Sequence, residues 1–181
     1  MNEFNIFPIT LFDTHLEVPD ELIEGIKDEI KNEPEKYTSP KSWDGGAFSS
    51  FNHNSDLLYG TPYVNEIIEH VTSIVQLHPF YIKTYNFGEK FRYDYEIWWN
   101  YYKDGKYQEY HSHGNDLISG IWYLSDSTSN TVFCKEGRKH KIPSVKGRLL
   151  FFPSTLSHYV EPADTERMTV SFNFQISKRN L

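Results

Sequence analysis

His111 and His113 stand two positions apart in the stretch EYHSHGND, a spacing that could do metal chemistry. If residues 110–113 are extended, side chains repeat every two residues and both imidazoles leave the same face. Two rings so placed can converge on one ion, with metal–nitrogen bonds of about 2.1 Å. Alone, such a pair is equally a solvent-facing feature of a polar strand. A third imidazole changes the balance. His158 closes the segment GRLLFFPSTLSH, after a strand-like run and a Pro-Ser turn. Arriving from a strand beside the first pair, it would complete three ligands on one side of a metal and leave the other side open, the geometry of a catalytic rather than a structural site. Arg167 follows at the head of RMTVSFNFQI.

These residues need elements to position them. VPDELIEGIKDEIKNEP opens with a proline, carries acids in its first turn and spaces Leu22, Ile23, Ile26 and Ile30 along one face before Pro34, which predicts an amphipathic helix. TPYVNEIIEHVTSIVQLHP predicts a second, with Thr61 as N-cap, Pro62 at the first helical position and an apolar stripe from Val64 to Val75. His70 and His78 read as surface or helix-end residues. Between the helices, SPKSWDGGAFSSFNHNSD has no clear period and reads as a long, partly ordered loop that could overhang a pocket. From residue 81 the runs YIKTYN, RYDYEIWWNYY, LISGIWYL, TVFC, GRLLFFP and RMTVSFNFQI are β-branched or aromatic and separated by turn residues. In the last, Met168, Val170, Phe172, Phe174 and Ile176 alternate with Arg167, Thr169, Ser171, Asn173 and Gln175, so one face packs and the other meets something polar. The expected architecture is an antiparallel sandwich or barrel braced by helices.

Composition narrows the function classes. A net charge of −7 argues against general affinity for nucleic acid, which is held mainly by surplus Lys and Arg. The basic cluster GRKHK (137–141) reads as a solvated loop. Cys134 is the one cysteine, so no intramolecular disulfide forms and a reducing, cytoplasmic setting is expected. No apolar run approaches the ~20 residues of a membrane helix, and no nucleophile-elbow pattern surrounds a serine or Cys134.

Residues 97–176, a little under half of the chain, resemble the iron(II)- and 2-oxoglutarate-dependent dioxygenases, and among them oxygenases with a His-x-His pair, then SG and an aromatic strand, then FPS…H, and an Arg, Ser and Asn run. Here these are His111 and His113, Ser119-Gly120 leading into IWYL, FFPSTLSH ending at His158, and ERMTVSFNF. The resemblance implies a mainly β fold with flanking helices, a double-stranded β-helix (jelly-roll, cupin-like). It implies one domain over 1–181, with 1–80 as helical support and loop and 81–181 as the jelly-roll core carrying the site. It implies Fe(II), 2-oxoglutarate as cosubstrate and O2, with His111, His113 and His158 on the metal. Arg167 would pair bidentately with the distal carboxylate of the cosubstrate, and Thr169 and Ser171 would add hydroxyls from the same strand face. Tyr102 and Tyr123 are further candidates for that carboxylate, the alternative for each being a packed ring. For Arg167 the alternative is a surface salt bridge to Glu166 or Asp164.

One departure stands out. The superfamily at large uses His-x-Asp, whereas His113 occupies the third position here; Asp116, beyond Gly114 and Asn115, is the alternative ligand. The implied activity is hydroxylation of a peptide or small molecule. The rivals are a cupin-like metal-binding protein or non-oxidative metalloenzyme without 2-oxoglutarate, and a jelly-roll without chemistry. Exposed aromatic strands are compatible with a dimer.

Overall fold

The alternation in RMTVSFNFQI organises the whole protein. A computed structural model describes residues 1–6, 9–78, 91–114 and 117–178. Within them the chain forms β1 (Asn2–Ile6), β2 (Ile9–His15), α1 (Asp20–Asn32), β3 (Phe48–Ser49), α2 (Pro62–Leu77), β4 (Phe91–Tyr102), β5 (Lys106–His111), β6 (Ile118–Tyr123), β7 (Ser127–Lys135), β8 (Arg138–Ser144), β9 (Arg148–Pro153), β10 (His158–Ala163) and β11 (Arg167–Lys178). The strands pair antiparallel in two sheets, ordered β1-β2-β9-β6-β11-β4-β3 and β5-β10-β7-β8. From β4 onward the chain passes back and forth between the sheets, which makes the two-sheet jelly-roll of a double-stranded β-helix.

β11 lies between β6 and β4 in the larger sheet, so both of its edges are paired. On one face Met168, Val170, Phe172 and Phe174 share a core with Leu22 and Ile26 of α1 and Val64, Ile67, Val71 and Ile74 of α2. Each fully buried aliphatic side chain there contributes roughly 1.5–3 kcal/mol, which holds two otherwise marginal helices in place. Trp99 points the same way, and its indole N–H donates to Glu29 Oε2 of α1 at 2.8 Å. Trp98, one residue earlier, faces the space between the sheets, as strand alternation requires. Gly120 sits opposite Phe172 in the register of β6 and β11; a Cβ there would meet the Phe172 ring at 2.2 Å. The absent side chain leaves room for that ring and for the Leu150 carbonyl, which a Cβ would meet at 2.7 Å.

Between the sheets, Ile121, Tyr123, Leu150 and Phe152 pack against Phe133, Ile142 and Leu156. Beside this packing, a cavity lined by aromatic and polar side chains lies between the sheets. β11 contributes Arg167, Thr169, Ser171 and Asn173 to its lining.

Several elements differ from the sequence expectations. β1, β2 and β3 precede residue 80 and extend the larger sheet on both of its edges; the first two pair tightly through a register from Asn2↔Asp13 to Ile6↔Ile9. Thr61 is the N-cap residue of α2 as expected, with extended backbone, but its hydroxyl donates to the Leu58 carbonyl at 2.7 Å and makes no side-chain cap bond. GRKHK forms a tight turn at Gly137, with φ of 76°, and the start of edge strand β8 rather than a loop. The YIKTYN run lies outside the described residues. Among those described, no helix is long and apolar enough to cross a membrane.

Candidate active site: three imidazoles and a buried guanidinium

His111 ends β5 and His158 begins β10, and the two are direct cross-strand partners. Opposed residues on neighbouring strands hold their side chains close, and these rings lie 4.3 Å apart between centroids. His113 comes two residues after β5 ends. Its backbone N–H donates to the Ser154 carbonyl at 2.9 Å, which draws the chain away from the smaller sheet and toward β9. The expected extended 110–113 segment is therefore strand only as far as His111, yet the rings still converge. The His113 ring is 5.1 Å from His111 and 5.3 Å from His158, and one ligating atom from each of the three lies within 4.8 Å of the others.

The proton positions suit metal binding. His111 Nδ1 lies 2.8 Å from the Glu109 carbonyl and His158 Nδ1 lies 2.9 Å from the Leu156 carbonyl. A carbonyl only accepts, so each Nδ1 carries the proton and each Nε2 keeps its lone pair. Burial lowers the pKa of His111. Burial, together with the charge His111 would carry, lowers His113 to about 4 and pushes His158 well below the usual value. At neutral pH the cluster is three neutral imidazoles, and no carboxylate joins them among the described residues. Asp116, the alternative ligand, lies outside those residues.

At the other end of β11, Arg167 is 1% exposed. Its Nη2 donates to Thr131 Oγ1 at 2.9 Å, and its guanidinium carbon sits 5.1 Å from the Tyr102 ring and 5.4 Å from the Tyr123 ring. Its Nε is buried without a hydrogen-bond partner. The alternative surface salt bridge does not form: Glu166 instead accepts from the Tyr101 hydroxyl at 2.6 Å, and Arg167 pairs with neither acid. Burial raises the Tyr102 phenol to about 12 against the opposing pull of Arg167, and burial likewise raises Tyr123. Both keep their protons; that of Tyr123 goes to Thr131 Oγ1 at 2.8 Å.

Histidines and guanidinium share one cavity of about 310 Å³, within the size range of small-ligand sites. Thr169, Ser171 and Tyr102 line it, whereas Tyr123 is not among its lining residues and meets Thr131 and the Arg167 guanidinium instead. Trp43 and Phe51 come from the aperiodic 39–56 loop to its mouth. Phe51 packs edge-on to Trp98 at 5.0 Å, and the loop is laid on β5 by the Gly46–Tyr107 bridge. Glu109 also lines the cavity, and its Oε2 is buried without a partner. Among the described residues, the two buried side-chain polar atoms left unsatisfied, this oxygen and Arg167 Nε, thus belong to residues of the same cavity.

Sequence reasoning gave no role to Thr131, Glu109, Ser119, Ser154 or Asn173. The alternation rule reaches Asn173, since it shares the Arg167 face. Thr131 had no signal, because it arrives on β7 from the opposite sheet.

No family model matches the sequence, and no curated protein does. Solved structures do resemble it. A prolyl-4-hydroxylase of Pseudomonas putida aligns over 91% of this chain and 92% of its own, at 17% identity and a TM-score of 0.61. HygX of Streptomyces hygroscopicus, solved with nickel, 2-oxoglutarate and hygromycin B, aligns over 91% and 82%, at 10% identity and 0.62. A prolyl hydroxylase from Trichoplax adhaerens, in complex with a hypoxia-inducible-factor peptide fragment, aligns over 91% and 83%, at 13% identity and 0.57. At such identities the likeness is one of architecture: the chain has the fold of the prolyl hydroxylases and related 2-oxoglutarate- and iron-dependent oxygenases.

Proposed function

We propose that the protein is an Fe(II)- and 2-oxoglutarate-dependent dioxygenase that hydroxylates a C–H bond of a peptide or small-molecule substrate. Arg167 carries the reading. A guanidinium that is 1% exposed, lacks an acid partner and keeps an unbonded Nε fits a ligand carboxylate, because an uncompensated buried charge is retained only at substantial cost. A cupin-like metal site without the diacid has no use for it. Two solved proteins of the same fold point the same way by what they hold: nickel, 2-oxoglutarate and hygromycin B in one, a peptide fragment in the other.

His111 and His158 would hold the metal through Nε2, and His113 would complete the set. Three neutral ligands leave a divalent ion with its full charge, which the dianion of 2-oxoglutarate balances. Bound together with O2, metal and cosubstrate supply oxidative decarboxylation to succinate and CO2 coupled to hydroxylation. Arg167 would hold the distal carboxylate by a two-pronged pair, steadied by Thr131 and the two tyrosine faces, with Thr169 and Ser171 offering hydroxyls beside it. Tyr102 and Tyr123, kept protonated by burial, would add donors or shape the pocket floor. Trp43, Phe51 and Trp98 would exclude water at the mouth, and the orphan Glu109 oxygen asks for a hydrogen-bond donor on whatever enters. A lone free cysteine, Cys134, fits a cytoplasmic setting.

Thermal unfolding of the metal-free protein, with Mn²⁺, with 2-oxoglutarate, and with both, tests the proposal. A ligand that binds only the folded form raises the midpoint by mass action. The expected result is stabilisation by Mn²⁺ and further stabilisation by 2-oxoglutarate only when Mn²⁺ is present. Stabilisation by 2-oxoglutarate alone, or by neither, contradicts it.

A further inference from the structure

His113 is held differently from its two partners. His111 and His158 face main-chain carbonyls, which can only accept. His113 Nδ1 lies 3.2 Å from Asn173 Nδ2, the donor end of an amide whose other end, Oδ1, is an acceptor of nearly the same size. Which end faces the ring decides whether the ring can ligate. With Nδ2 toward it, Asn173 donates, Nδ1 holds the lone pair, and the ring proton sits on Nε2, where it blocks a metal. With Oδ1 toward it, Nδ1–H is donated and the Nε2 lone pair faces the cluster.

The amide belongs to a closed circuit. Asn173 Oδ1 accepts from Ser119 Oγ at 2.7 Å, and Ser119 Oγ lies 2.8 Å from Ser154 Oγ. The Ser154 carbonyl then accepts the backbone N–H of His113. Asn173 is 4% exposed, and Ser119 and Ser154 are each 1% exposed, so no member turns to bulk water without breaking the packing. In the observed orientation Asn173 Nδ2–H donates to His113 Nδ1, the non-ligating direction; because a hydroxyl has one proton and two lone pairs, a half-turn of the amide about Cβ–Cγ reverses the circuit. In the ligating direction His113 Nδ1–H donates to Asn173 Oδ1, Asn173 Nδ2–H donates to Ser119 Oγ, and the Ser119 proton goes to Ser154 Oγ.

We propose that Asn173 is a positioning residue for metal binding. With the amide turned so that Oδ1 faces the ring, its carbonyl oxygen accepts the His113 Nδ1 proton and so fixes the tautomer whose Nε2 can ligate, with Ser119 and Ser154 closing the circuit behind it. A partner that orients a ligating imidazole is worth about 10–100-fold in metal affinity. The inference rests on the reading of the three histidines as a metal site.

Calorimetric titration with Zn²⁺ of the native chain, Asn173→Asp, Asn173→Leu and His158→Ala tests it, together with long-range ¹H–¹⁵N spectra of the histidine rings in the Zn²⁺-loaded native protein. Asn173→Asp, which only accepts, is expected to bind at least as tightly as native. Asn173→Leu, which cannot accept, is expected to bind about 10–100-fold more weakly. The spectra are expected to show the His113 proton on Nδ1 and zinc on Nε2. Native affinity in Asn173→Leu, or Asn173→Asp as weak as Asn173→Leu, overturns the inference and leaves the three-histidine site standing. So does zinc on Nδ1 of His113 in the native spectrum, a readout independent of whether any variant folds. Zinc binding that is absent from the native chain, or that survives His158→Ala, overturns the site itself.

Discussion

Replacing Arg167 with methionine is expected to separate ligand binding from stability. The guanidinium is buried with one hydrogen bond, two aromatic faces and no acid partner. Desolvation of such a charge costs several kcal/mol; the ring faces return about 0.5–2 kcal/mol each and the charge-assisted bond about 1.5–3 kcal/mol. These terms nearly cancel, and methionine fills most of the volume without a charge, while Tyr123 keeps its bond to Thr131. The metal-free variant should therefore unfold at or above the native midpoint. Binding should behave otherwise. A two-pronged carboxylate pair of two charge-assisted bonds is worth about 3–6 kcal/mol, or roughly 10²–10⁴ in affinity. With Mn²⁺ present, 2-oxoglutarate at 100 times its native Kd stabilises the native chain by about 2.7 kcal/mol, an increase of about 5–10 °C for a chain of this size. For Arg167→Met the same concentration sits at or below Kd, giving at most about 0.4 kcal/mol and roughly 1 °C. Differential scanning fluorimetry reads both numbers. A variant that keeps more than half of the cosubstrate shift, or that loses about 3 kcal/mol without ligand, would make Arg167 a structural residue and refute the reasoning.

Three further outcomes are expected. His158→Ala should abolish stabilisation by Mn²⁺, and a shift equal to native would remove His158 from the metal. In the metal-free protein, burial holds the cluster imidazoles below the unfolded value of 6.5, His113 at about 4; the unfolded chain therefore binds more protons between those values, and stability should fall as pH drops from about 6.5 toward 4, so a flat profile of urea midpoints contradicts it. Gly120→Ala should destabilise by about 1–3 kcal/mol through overpacking, since its Cβ would meet Phe172 at 2.2 Å, and a neutral effect in chemical denaturation would show that the sheet yields there.

The site was legible where it follows strand periodicity or an explicit residue type. Alternation in RMTVSFNFQI separates the helix-covered core face from the face that carries Arg167, Thr169, Ser171 and Asn173, and the structure keeps that division. Apolar spacing located both helices, because burying such a stripe is what stabilises them. The convergence of His111 with His158 was legible only as a pattern, since the cross-strand pairing that makes it depends on topology that one sequence does not state. Thr131 and Glu109 were invisible for the same reason: their importance comes from what faces them across the cavity. β1 and β2 were missed because NEFNI and ITLFDTH are short, mixed runs that become strands by pairing with each other and with β9, a tertiary effect that overrides weak local preference. Thr61 takes the expected N-cap position, with its hydroxyl donating to the Leu58 carbonyl and making no side-chain cap bond.

The most direct measurement is a crystal structure of the chain grown anaerobically with Mn²⁺ and 2-oxoglutarate. The account predicts one metal bonded at about 2.1 Å by Nε2 of His111, His113 and His158, with the distal carboxylate of the diacid on Arg167. A metal held by fewer than these three rings, or a diacid bound away from Arg167, would contradict it.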